Sequence, residues 1–459
     1  MLSSTPPRSP LARLLNLSVH IDPQERRAVA LAFLCNFMML ASYYILRPVR
    51  DTTATVFGAD QLQYLFTGTF LGTLLASPLY TWLASRVQLR RLLPGVFWFW
   101  VLNILVFQAL FRAAPDSRVL AAAYYWWFSI ANLFMISVFW SLMVDVFTAA
   151  QATRLFALIA AGGSIGAIAG PLVTRLAVHS LGLGGLLSVA AAGFLVVIVL
   201  VHLLMRAKEQ LRARGDAQLT TLDHGLAGNP FEGFGELLRS SYSRNQAAFI
   251  LLMTWANTVG YFLQTDFIAN AFKAVESRAV AIADISLVVN ICSALVLTFG
   301  LGRFVTRFGV TAGLLANPII MLVAFLAVAL SPTLLMIQAL QVVRQVAQYA
   351  IARPSREICF TVVEQSSRYK AKNVIDTVAY RFGDVSAAWI LTALRTAGLG
   401  LGGAVGAGFG FSALWGGVAL LLGRHYERLR TQPHAGPPAA LALAADPAGT
   451  APGPEGRPP

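Results

Sequence analysis

The sequence predicts an all-α polytopic membrane protein whose twelve transmembrane helices form two six-helix halves. Composition is the first reason. Of 459 residues, 57% are hydrophobic and only 12% charged, with a mean hydropathy of +0.65. So few charges cannot cover the surface of a soluble protein of this size. Second, apolar runs of about twenty residues recur from end to end, the length that crosses a bilayer as a helix. The alternating pattern of a membrane β-barrel is missing. Third, arginine gathers in alternate connections between the apolar runs, as the positive-inside rule requires of a multi-span chain.

Taken in order, residues 1–27 form a lead mostly short of apolar runs. In it, Asp22-Pro23-x-Glu25 has the form of a helix start, with an Asp cap, Pro at the first position and Glu reaching back. No apolar stretch followed by a small-residue cleavage site precedes the first span, which is therefore expected to be retained. Spans are expected at 28–50, 62–83, 92–112, 119–146, 154–178, 183–205, 246–271, 279–301, 312–330, 333–353, 371–396 and 400–423. The connections that follow even-numbered spans hold most of the basic residues, including Arg86, Arg154, Arg206, Lys208, Arg303, Arg307, Arg356 and Lys372. That asymmetry places both termini in the cytoplasm. Basic residues other than histidine are all arginine apart from Lys208, Lys273, Lys370 and Lys372. This usage fits a GC-rich bacterial genome, hence an inner (plasma) membrane.

Residues 206–245 are polar and form the longest internal connection, dividing a half at 28–205 from a half at 246–430. The halves echo each other: Arg86…Arg90-Arg91 follows span two and Arg303…Arg307 follows span eight. Parallel six-span halves are the organisation of a major-facilitator-type transporter. Residues 431–459, rich in Pro, Ala and Gly, are expected to be a disordered tail.

The net charge of +14 is explained by topology rather than by a nucleic acid partner. Cys35, Cys292 and Cys359 lie in or beside apolar spans without a CxxC pair, and read as free thiols. No His pair has metal-ligand spacing, so neither metal nor cofactor is expected. Gly398-x-Gly400-x-x-Gly403 matches a dinucleotide fingerprint, but no strand precedes it. Paired carboxylates with a nucleophile and a nucleotide-hydrolysing loop are both missing, so no catalytic residues and no enzyme are expected.

Polar residues inside the spans carry the functional signal, because lipid cannot satisfy them. Span one holds Asn36, Tyr43, Arg47 and Arg50 on one helical face, with Thr53 just past its expected end and Pro48 between the arginines. The arginines either snorkel to outer headgroups or face a cavity with Asp51 as partner. Span ten holds Gln338, Gln341, Arg344, Gln345 and Gln348, a stripe that either hydrogen-bonds neighbouring helices or, with Arg344 at mid-depth, faces a functional cavity. Span eleven holds Asn373, Asp376, Tyr380, Arg381 and Asp384, with Arg381 about 15 Å deep and Asp384 positioned to pair with it. Asn257, Tyr261 and Gln264 on span seven, and Asn132, Ser137, Ser141 and Asp145 on span four, are placed to line the same cavity. The substrate-binding candidates are Arg47, Arg50, Arg344, Arg381, Asn257 and Tyr43. Asp51, Asp376, Asp384, Lys370 and Lys372 are candidates for coupling or gating. Gly162, Gly166 and Gly170 form a small-residue seam for helix packing. Tyr124, Trp126 and Trp127 are expected to form an interfacial aromatic belt.

The runs I-L-R-P-V-R-D (45–51), R-L-F-A-L-I-A-A-G-G-S-I-G-A (154–167) and R-P-S-R-E…Y-K-A-K-N-V-I-D (353–376) resemble the non-mitochondrial ATP/ADP antiporters of plastids and obligate intracellular bacteria. The resemblance implies twelve helices and strict exchange of adenine nucleotides. Arg50 stands where that family has a nucleotide-binding Lys, and Gly383-Asp384 where it has Gly-Lys, with Arg381 just before to supply the basic group. The expected function is secondary active transport exchanging nucleotides, or related phosphorylated anions, by alternating access. The partners are then a small anionic substrate and the bilayer, and one chain suffices. The alternatives are a proton-coupled carrier of another solute, with Asp376 or Asp384 protonated, and a non-transporting scaffold or sensor.

Overall fold

The described elements are all helical, as backbone groups surrounded by apolar side chains must satisfy one another locally. The structure, a computed structural model, describes residues 21–86, 89–213, 240–362, 372 and 374–431. The first four helices are α1 (Arg26–Phe57), α2 (Leu62–Arg86), α3 (Leu89–Ala113) and α4 (Arg118–Val146). A long helical stretch, Ala149–Ala213, breaks at Gly182, where φ 65 and ψ 178 suit only glycine. This gives α5 (149–181) and α6 (183–213). After α7 (Ser241–Ala271), helix runs from Val275 through a π turn to Leu330 and breaks at Gly309, φ 81. That makes α8 (275–308) and α9 (310–330). Helix α10 (334–362) contains the π turn Gln348–Ala352, α11 (375–396) opens on the π turn Ile375–Ala379, and α12 is Gly400–Thr431.

Twelve helices thus follow in the expected order among the described residues. Eight continuous stretches are long and apolar enough to cross a membrane, and one of them is the 60-residue run that Gly182 divides. The ends differ from expectation in places. Helix α1 continues to Phe57, so Arg47 and Arg50 sit in its body rather than near its end. Helix occupies both edges of the stretch 206–245, since α6 reaches Ala213 and α7 starts at Ser241. Glu25 does reach back to the Asp22 amide (3.4 Å), but the helix begins at Arg26 with Glu25, not Asp22, as its first flanking residue. The lead 1–20, most of the connection (214–239), Lys370, Asn373 and the tail 432–459 lie outside the described residues.

Two cores hold the halves. One is built on Trp100, Phe128, Phe139 and Phe194; the other on Phe249, Phe262, Phe325 and Trp415. Tyr124 is fully buried in the first, packed on Phe107 (5.2 Å) and near Trp127 (5.8 Å). Trp126 donates to the Leu65 carbonyl (3.0 Å). These rings are therefore core and inter-helix contacts, not an interfacial belt, because α4 turns this face toward its neighbours. Helices α1 and α5 approach most closely. A Cβ at Gly162, Gly166 or Gly170 would fall 2.5, 2.3 or 2.6 Å from the carbonyl oxygen of Phe33, Phe37 or Ala41. Asn36 lies in this seam and donates to the Ile159 carbonyl (2.9 Å), so packing claims it rather than a cavity.

The halves meet through α1 with α7 and α8, α2 with α11, and α5 with α8. Call the end where α1 begins the near end and the other the far end. Bonds between the halves gather from mid-depth to the far end. Arg395 reaches Asp60 (3.1 Å), Arg278 reaches Thr55 (3.4 Å), Trp389 reaches Thr67 (3.2 Å) and Arg175 pairs with Asp284 (3.0 Å). Near-end ion pairs such as Glu25–Arg154, Asp145–Lys208, Arg356–Asp376 and Glu357–Lys372 each stay within one half.

Candidate functional site

Between the halves, at mid-depth, α1, α7, α8 and α10 border a polar cavity of about 60 Å³ lined by Arg47, Arg50, Asp51, Tyr261, Gln264, Ile282, Ile285, Ser286, Arg344 and Gln345. The spacing on each helix decides who points in. Arg47, Arg50 and Asp51 occupy a turn of α1 at Pro48, whose missing N–H leaves the backbone there free to bend.

The arginines are held in different ways. Arg50 donates through Nε (2.9 Å) and Nη2 (2.5 Å) to Oδ1 of the adjacent Asp51, and that same oxygen accepts the Tyr261 hydroxyl from α7 (3.1 Å). The Arg50 guanidinium also stands over the rings of Tyr125 (5.3 Å) and Phe128 (5.6 Å), a contact suited to its planar, weakly hydrated charge. Arg47 turns to the other half instead, donating to Gln345 Oε1 (3.1 Å) and the Tyr349 hydroxyl (3.4 Å).

Arg344 is buried. Its Nε and Nη2 donate to Gln341 Oε1 (3.0 and 2.7 Å) and its Nη1 to Gln348 Oε1 (3.4 Å). The glutamines are fixed in turn by α7. Gln341 donates to the Gly260 carbonyl (2.5 Å), and Asn257 donates to Gln348 (3.2 Å). Two faces of α10 therefore act separately. Gln341 and Gln348 bind α7 and hold Arg344 between them, while Gln345 and Tyr349 meet α1. Among the described residues, neither Arg47 nor Arg344 forms an ion pair, and both have only neutral acceptors. The lining then holds three guanidinium groups against one carboxylate.

A profile of the Major Facilitator Superfamily matches residues 32–351. The chain belongs to that superfamily. Solved structures with this major facilitator fold include a bacterial homologue of the iron transporter ferroportin, at TM-score 0.60 and 12% identity, covering 89% of this chain and 99% of that one. A variant of the nucleoside transporter NupG aligns at TM-score 0.56 and 12% identity, covering 88% and 99%. A POT family transporter in complex with 5-aminolevulinic acid aligns at 0.55 and 14%, covering 88% and 97%. At such identities the likeness concerns the fold. No curated protein matches the sequence. This chain is a membrane transporter of the major facilitator fold and not an enzyme.

Within this major facilitator, several residues expected at the site lie elsewhere. Tyr43 stacks on Phe128 (5.1 Å, 16° between planes) and does not line the cavity. Asn257 acts one step back, through Gln348, and its own Oδ1 is buried without a partner. Arg381 and Asp384 form a pair (3.4 Å) outside the lining, with Asp384 also accepting from Thr258 (3.4 Å). Asp376 is taken by Arg356 (2.5 Å) and Lys372 by Glu357, both at the near end. Asp145 likewise pairs with Lys208 there, not in the cavity. Ser286 and Tyr349 join the site without any pattern in the sequence to mark them: each is one polar group in an otherwise apolar or mixed span. The seam of Gly162, Gly166 and Gly170 contacts α1 and touches no lining residue.

Proposed function

We propose that this transporter exchanges nucleotides, or related phosphorylated anions, by alternating access. The observation that carries the reading is Arg47 and Arg344, set on opposite sides of one inter-half cavity with neutral acceptors only. A guanidinium withdrawn from water is costly without a counter-charge, and its planar fork fits phosphate oxygens two at a time. Glutamine side chains orient the arginines yet leave their charge uncompensated, which suits a visiting anion. An empty cavity of this charge is unfavourable to carry across the bilayer, so each reorientation needs an occupant and transport becomes exchange.

The arginine-rich connections favour a cytoplasmic near end. On that assignment, a far-end closure made of Arg395–Asp60, Arg278–Thr55 and Arg175–Asp284 corresponds to a protein shut toward the outside. Both termini are then cytoplasmic, in a bacterial inner membrane. Lys372, paired with Glu357, then stands toward the cytoplasmic end, with Arg381 and Asp384 deeper along α11.

The test is uptake of labelled ATP into liposomes that hold the purified protein and internal ADP or another phosphorylated anion. Uptake that depends on an internal anion supports exchange. If neither ATP nor any other labelled phosphorylated anion is taken up above the level of protein-free liposomes, whatever anion is inside, the reading is rejected. A second reading, proton coupling, draws on the buried Asp384 carboxylate beside Thr258. It expects uptake driven by a pH gradient into liposomes with no internal substrate.

A further inference from the structure

Resting on the anion-exchange reading, we infer that the occupant is a dianion, a phosphate monoester rather than a nucleoside di- or triphosphate, and that Asp51 sets this preference. Three arginines and one carboxylate line the cavity: Arg47, Arg50, Arg344 and Asp51. In their ordinary ionisation states they sum to +2. On α11, Arg381 and Asp384 pair with each other and add nothing, and Arg353, beyond Tyr349, is exposed to solvent. Enclosing net charge in a medium of low dielectric is costly, and the cost grows steeply with that charge. A dianion brings the closed cavity to zero. A neutral solute leaves +2, and the trianion of ADP or tetra-anion of ATP leaves a negative excess.

Asp51 is a fixed part of this count. Its Oδ1 is held by two Arg50 nitrogens from its own half and by Tyr261 from the other half. The carboxylate is thus built into the closed interface rather than free to swing out. The three arginines and Asp51 line one small cavity, about 60 Å³, suited to a single compact anionic group. The neutral remainder of the molecule then lies beyond the arginine lining.

The experiment uses the full chain in liposomes, with a chelator to remove divalent cations, and compares self-exchange of AMP, ribose 5-phosphate, inorganic phosphate, ADP and ATP. Monoester exchange is expected to exceed that of ADP and ATP by about ten-fold. AMP and ribose 5-phosphate together indicate recognition of the phosphate alone, and AMP by itself indicates added contacts to the base; either result supports the inference. Asp51→Asn raises the lining to +3 and is expected to move the preference toward ADP by about the same factor. Preferred ADP or ATP exchange by the unaltered protein, exchange of inorganic phosphate without either monoester, or an unchanged ranking in an active Asp51→Asn protein overturns the inference while leaving anion exchange standing. If Asp51→Asn does not fold, the ranking in the unaltered protein decides alone. Exchange of no anion at all rejects the underlying reading instead.

Discussion

Arg47 on α1 donates to Gln345 on α10 across the interface of the two halves, at 3.1 Å. Its neighbour one turn on, Arg50, stays within its own half on Asp51. Two arginines three residues apart are thus committed differently, one neutralised and one spanning the halves with its charge unmatched. An anion that binds Arg47 and Arg344 together ties α1 to α10, which links occupancy to closure.

Arg344→Gln removes a buried cation that has no counter-ion among the described residues. Exchange is expected to fall by about 10- to 100-fold, the effect of losing a charged hydrogen bond worth about 1.5–3 kcal/mol. The melting temperature in detergent should hold or rise, because an uncompensated buried charge has gone. A lower melting temperature with exchange intact would mean that the guanidinium serves only packing.

Gly166→Ala puts a methyl group 2.3 Å from the Phe37 carbonyl oxygen, backbone that cannot rotate away. Overpacking of this kind costs about 1–3 kcal/mol. Thermal unfolding should show a clear loss relative to Gly410→Ala, where nothing lies within 4 Å. Equal stability of the two variants would contradict the close approach of α1 and α5.

Arg395→Gln removes the contact to Asp60 across the far end. A partly exposed ion pair contributes about 1 kcal/mol at most, enough to shift open and closed populations by up to about five-fold. In a cysteine-free background, Ser286→Cys at the cavity wall should react faster with a membrane-impermeant maleimide applied to the far side. No acceleration would show that this end is closed by packing alone.

The native thiols offer a check on the same chemistry. Cys35 and Cys359 are buried and Cys292 is half-buried, all three free. Maleimide should modify Cys292 first in the folded protein and the other two after denaturation, read by intact mass. Early modification of Cys35 would be incompatible with its place in the first core.

Much of the architecture was legible in the chain because its signals are local. Apolar runs of bilayer length and the arginine asymmetry both act within a few residues of where they are read. The glycines at 162, 166 and 170 were legible for the same reason: spacing of four places them on one face. The site was only partly legible. Arg47, Arg50 and Arg344 stand out as charges in apolar runs, but nothing near Tyr43 says that Phe128 will claim it. Nothing near Arg381 says that it will turn from the cavity, and Ser286 carries no mark at all. Those outcomes depend on residues dozens to hundreds of positions away.

The sequence by itself determined that this protein is a bundle of twelve membrane helices with a few guanidinium groups set among them, because hydrophobic length and charge rarity are properties of the chain alone. Only the tertiary structure decided which of those groups share one cavity and which are neutralised. That depends on how α1, α7, α8 and α10 are rotated against each other, and the rotation is fixed by packing between the halves.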